Sequence, residues 1–186
     1  FWSDGMVRVT GREYSGLVES KCFTNGAMSC LSCHTLHNID VTDVPYADTV
    51  DSAWNDDMLK PGMRGNQACL TCHQEYQGDA LQSHTHHLAE SSGSQCYNCH
   101  MPHTSYGLLK AVRSHQISVP SAAETLSVGR QNACNICHID KPLAWTAKNM
   151  QLWYGHEVPE LSEVHEKISS TVLMLLTGDA GQRALA

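Results

Sequence analysis

One pentapeptide pattern, Cys-x-x-Cys-His, occurs four times in this chain and constrains everything else about it. The copies are Cys30-Leu31-Ser32-Cys33-His34, Cys69-Leu70-Thr71-Cys72-His73, Cys96-Tyr97-Asn98-Cys99-His100 and Cys134-Asn135-Ile136-Cys137-His138. A lone Cys-x-x-Cys fits zinc, dithiol redox chemistry or chance. The histidine discriminates. With 12 histidines in 186 residues, four chance placements beside the second cysteine come to on the order of 1 in 50,000. Zinc sites close by pairing Cys-x-x-Cys arms, which gives no reason for an adjoining His each time. The pattern reads as covalent c-haem attachment, with both thiols bonded to one porphyrin and the imidazole as axial iron ligand. Cys30, Cys33, Cys69, Cys72, Cys96, Cys99, Cys134 and Cys137 would attach four haem c groups. His34, His73, His100 and His138 would be the proximal ligands.

That reading explains the composition. Phe occurs twice, and Ile and Val are modest, so a protein-only core would be thin. Four porphyrins would supply apolar surface at roughly 25 cal/mol per Å² removed from water. The expected fold is mainly α with extensive loop, a multihaem cytochrome c with the haems forming the core. The haem-free chain is then expected to be largely unfolded. The expected organisation is a tetrahaem domain over residues 1–158 and a C-terminal helix over 159–186, the possible start of a truncated helical-repeat region.

The formal charge of -7 argues against nucleic acid or an anionic membrane as partner. No run of 18 apolar residues crosses a bilayer. The opening residues Phe1 to Gly5 do not read as a leader. Because c-haem is assembled outside the cytoplasmic membrane, an exported, periplasmic or extracellular location is expected, with the chain processed or excerpted. Cys22 stands outside the motifs and reads as a small buried thiol near the first haem, in preference to an intermolecular disulfide.

Along the chain, residues 1–29 read as loop with a strand pair around Val7–Val9. Residues 38–66 read as a solvated acidic loop, with six aspartates facing Lys60 and Arg64. Residues 74–90 are helix-compatible, and Gly107 to Arg113 suit a short helix. The pattern is helical again from Arg130 to Trp153. The periodicity of Leu161, Val164, Ile168, Val172 and Leu175 predicts one last helix ending at Gly178. Asp179 is placed to cap a further helix from Ala180.

Six-coordinate iron needs distal ligands, and eight histidines remain. His37 and His103 each follow a proximal His by three residues. That spacing puts both imidazoles on one side of a helical turn, where the second cannot reach the far face of its own porphyrin. A reciprocal exchange follows: His37 to the third iron and His103 to the first, with these two haems stacked. The second and fourth irons draw on His87 and His115, with His84 the main rival to His87 and His86 also near. His156 and His165 read as ordinary surface histidines. Methionine ligation is the other possibility, and it would raise the potential.

The run Cys96 to Pro102, followed by His115 and Pro120, resembles the Cys-x-x-Cys-His-Met-Pro…His…Pro segment of multihaem cytochromes c. That group includes multihaem nitrite reductases and related electron carriers. In that pattern His87 and His115 match distal ligands. Gly11-Arg12-Glu13-Tyr14, His84 to His87 and Arg130 to Cys134 look like exported tetrahaem cytochromes that carry HEAT- or TPR-like helical repeats after the haems. The tail from Gly178 to Arg183 looks like the start of such a repeat. The Cys-x-x-Cys-Lys motif of nitrite reductases is absent. Four haems on so short a chain are crowded, and bis-histidine ligation leaves no iron open to a substrate, so the leading expectation is an electron carrier or conduit that passes electrons to redox proteins or to further copies of itself, as a wire or filament in the latter case. The competing expectation is an oxidoreductase acting on a small nitrogen or sulfur oxyanion at a five-coordinate haem, with His84 or His86 as proton donor.

Overall fold

The computed structural model describes residues 1–6, 8, 12–35, 58–106 and 110–186. These residues form twelve α-helices, most of them short, two 3-10 turns and one antiparallel hairpin. The fold is mainly α. None of the described helices is long and apolar enough to cross a membrane. The chain divides into two compact units: Asn25–Cys96, and Phe1–Thr24 together with Tyr97–Ala186.

In the second of these units the chain starts with α1 (Arg12–Glu19) and α2 (Lys21–Thr24). Within the loop expected over residues 1–29, Arg12–Glu19 and Lys21–Thr24 are helical, and Val7 and Val9 lie outside the described residues. Cys22 sits on α2, half-buried, as a free thiol.

The unit Asn25–Cys96 holds α3 (Cys30–Cys33), α4 (Gln67–Leu70) and α5 (Asp79–Thr85). The helix expected to reach Glu90 stops at Thr85, because His86 takes a left-handed conformation with φ 56°. Thr85 then accepts the His87 backbone N–H on its hydroxyl at 3.3 Å, a local bond that competes with helix propagation. The acidic stretch 36–57, His37 included, lies outside the described residues.

From the third motif onward come α6 (Cys96–His100), β1 (His103–Tyr106) and β2 (Lys110–Arg113). The hairpin pairs His103 with Arg113 and Tyr106 with Lys110, so Lys110–Arg113, within the helix expected between Gly107 and Arg113, is strand, and residues 107–109 lie outside the described residues. Thr104, Tyr106 and Val112 suit a pleated surface, and the Ser114 N–H extends the pairing to the Pro102 carbonyl at 3.0 Å.

Next are α7 (Ala122–Val128), α8 (Ala133–Cys137) and α9 (Leu143–Tyr154). Ala122, Leu143 and Ala147 form the buried apolar cluster, with Leu126 and Leu161 against it. The single last helix expected from Leu161 to Leu175 is two: α10 (Glu163–Lys167) and α11 (Ser170–Thr177). Ser169 caps α11 by accepting the Val172 N–H at 3.3 Å, and the Ser170 N–H is drawn to the Lys141 carbonyl at 3.1 Å. A capping serine and an outside acceptor end one helix and start another. The expected final helix is present as α12 (Ala180–Leu185), capped reciprocally by Asp179 and Gln182.

Candidate functional site

Each Cys-x-x-Cys-His stretch folds as one helical turn. The backbone N–H of His34 donates to the Cys30 carbonyl, that of His73 to Cys69 and that of His138 to Cys134, each at 2.9 Å. In the third motif His100 is the last residue of α6 itself. Positions i, i+3 and i+4 of a helix share a face. Each turn thus presents two sulfurs and one imidazole together, which is the donor set that covalent haem attachment requires.

Asparagines hold these turns. Asn132 caps α8 through the Cys134 N–H at 2.9 Å and ties it to α7 through the Ser121 carbonyl at 3.2 Å. Asn135, inside the fourth motif and fully buried, accepts from the Thr146 hydroxyl at 3.0 Å and donates to the Lys141 carbonyl at 3.0 Å. Asn66 precedes α4 and reaches across to the third motif. It accepts the Cys96 N–H at 2.9 Å and donates to the Ser94 carbonyl at 2.7 Å. Of the three, Asn132 alone carries a sequence signal, an Asn two positions before the first cysteine, where helix N-caps favour it; Asn66 and Asn135 bond residues distant in sequence and carry none.

Consecutive motifs approach through sulfur. The Cys69 thiol hydrogen-bonds Cys96 and draws its pKa down to about 7 against opposing burial. Burial raises the Cys33 thiol; Lys60 opposes the shift, and a smaller upward push comes from Cys72. Burial pushes Cys134 up to about 11, with Cys99 adding to it. Tyr154 is raised to about 12, first by burial and then by the charges of Cys99 and Cys134.

The imidazoles differ in how they are held. His100 donates its Nδ1–H to the Ser118 carbonyl at 2.8 Å, and Ser118 N–H returns a bond to the His100 carbonyl at 3.1 Å. His87 donates Nδ1–H to the Thr85 carbonyl at 2.6 Å, and His115 to the Arg113 carbonyl at 3.3 Å. A carbonyl can only accept, so each ring carries a proton on Nδ1, and the neutral form offers its lone pair at Nε2. This is how metal-ligating histidines are commonly oriented. His73 instead meets the exposed Glu75 carboxylate at 3.3 Å, and His138 lies 4.6 Å from the Trp145 ring. His34 makes a backbone bridge with Leu59.

His103 lies on β1, not on a helical turn shared with His100, so the helical reasoning behind its spacing does not hold. Burial, then the neighbouring Arg113, lowers its pKa and favours the neutral ring. Its expected exchange partner, His37, lies outside the described residues. Arg113 also closes the end of α6, donating to the Tyr97 and Met101 carbonyls at 3.1 and 3.2 Å and to the Asn98 side chain at 2.8 Å. His84 packs its ring 4.4 Å from Tyr76, and His86 is the exposed residue that turns the chain. His165 bonds the Ser162 hydroxyl at 2.8 Å, a local turn contact.

No protein-family model matches this chain, and neither a curated protein nor a solved structure matches it.

Proposed function

We propose that the four turns attach four haem c groups and that the protein is an exported electron carrier or conduit. Haem supplies a one-electron iron couple when bound, tuned by its axial ligands, burial and neighbouring charge. The chain's part is to hold and orient. Eight motif thiols anchor the groups, and His34, His73, His100 and His138 stand as proximal ligands. His37, His87, His103 and His115 serve as distal ligands, so that no iron is left open to a substrate. Redox proteins or further copies of this chain are the partners, in the periplasm or outside the cell, and the haems complete the core.

The observation that carries this reading is the Nδ1–carbonyl bond at His87, His100 and His115. One of these histidines is in a motif and two are not, yet all are set in the same way to offer Nε2. The test is an electron paramagnetic resonance spectrum of protein matured with haem. Uniformly low-spin iron agrees with the proposal. A high-spin population that shifts on adding nitrite, hydroxylamine or sulfite favours an oxidoreductase with one five-coordinate haem.

A further inference from the structure

The His87 imidazole packs against Gly93. Gly93 lies in the 3-10 turn Ser92–Ser94, six residues after His87, with its α-carbon against the imidazole. A Cβ built there would fall 2.8 Å from Nε2 and closer still to Cδ2 and Cγ. Real Cβ atoms do not occupy such positions, so something would have to move.

The backbone of this turn is poorly free to move. Ser94 is fully buried. Its carbonyl is held by Asn66, and its hydroxyl meets Thr85 at 2.9 Å and the His87 carbonyl at 3.2 Å. The ring is the softer partner, since it relaxes by rotating about its side-chain torsions. Rotation would carry Nδ1 off the Thr85 carbonyl, the bond that sets the tautomer. A conformational reason for glycine is absent, because φ at Gly93 is not in the left-handed range. Space for the imidazole is what the position requires.

We infer that Gly93 is a positioning residue: its missing side chain seats the His87 imidazole with Nε2 presented to iron. That contact favours His87 over His84 and His86 as the ligand. The inference rests on the haem reading above.

The test is Gly93→Ala in haem-loaded protein, with Gly65→Ala as control, since a Cβ at Gly65 meets nothing within 4 Å. Gly93→Ala should convert one of the four irons from low to high spin, and added imidazole should restore the low-spin spectrum. Gly65→Ala should leave all four low-spin. An unchanged Gly93→Ala spectrum with four haems bound overturns the inference but not the haem reading. Wild-type protein of bare polypeptide mass overturns the haem reading itself. If Gly93→Ala does not accumulate, the double variant His87→Gly, Gly93→Ala decides. Recovery to the level of His87→Gly alone supports the inference, because the clash is gone. Continued failure shows that Gly93 serves something other than His87.

Discussion

Asn25–Cys96 carries two complete Cys-x-x-Cys-His turns and the first cysteine of a third, yet Leu81 is the sole buried apolar side chain among its described residues. The other unit buries Trp2, Met6, Leu17, Ala122, Ala133, Leu143, Ala147 and Met150. The same motif therefore rests on two different foundations. In the second unit the fourth motif is fastened through Asn135 to α9, whose Leu143 and Ala147 lie in an apolar cluster. In the first unit the motifs are tied by side chains such as Asn66, Thr85 and Ser94. Hydrogen bonds each contribute about 1 kcal/mol net, and they do not replace apolar burial as the driving force of folding. Under the haem reading, the porphyrins supply that burial where the protein does not.

The largest expected effect separates the two units. The buried cluster narrows the sequence expectation of a largely unfolded haem-free chain to the first unit: in protein made without haem attachment, amides of α5 should exchange at rates near those of an unfolded chain, while amides of α9 keep substantial protection. Hydrogen-exchange mass spectrometry checks this, and equal protection in both helices would break the comparison.

Next come two truncations in the haem-loaded protein. Leu143→Ala should cost about 3 kcal/mol and Leu81→Ala about 2 kcal/mol, because the first empties a packed cluster and the second does not. Local exchange stabilities of α9 and α5 report the two values, and a reversed order would contradict the assignment of the core.

A smaller effect attaches to Asp179, which caps α12 and pairs with Arg8 at 2.6 Å. Burial alone would raise its carboxyl. The Gln182 backbone N–H and Arg8 outweigh this and hold its pKa below the ordinary 3.8. Its stabilisation is therefore fully present above that pH and is lost as the pH falls through the lowered value. Asp179→Ala should cost about 1 kcal/mol at neutral pH and nothing extra at strongly acidic pH, read from exchange in α12. Smallest of all, Lys167→Ala on exposed α10 should change stability by less than about 0.5 kcal/mol, since its i,i+4 pair with Glu163 is solvated.

Much of the site was legible because it is written in consecutive residues. Each motif forms one turn, and Asp179 with Gln182 caps a helix within a span of four residues. The hairpin was misread because Gly107 to Arg113 carries no period that separates a short helix from a short strand. The break in the last helix is hidden because an unbroken apolar rhythm passes through Ser169, and the bond that opens the chain there runs from the Ser170 N–H to the distant Lys141 carbonyl. Asn66, Asn135 and Gly93 were invisible for a related reason. Asn66 acts on Ser94 and Cys96 across separations of 28 and 30 residues, and Gly93 matters only through the ring that the fold brings against it.

The intact mass of the protein produced in a host that matures c-type haem tests the central claim most directly. The account predicts the 20.5 kDa polypeptide plus four haems, retained under denaturing conditions because thioether bonds hold them. A mass equal to the polypeptide alone, or one bearing zinc that denaturation releases, would contradict it.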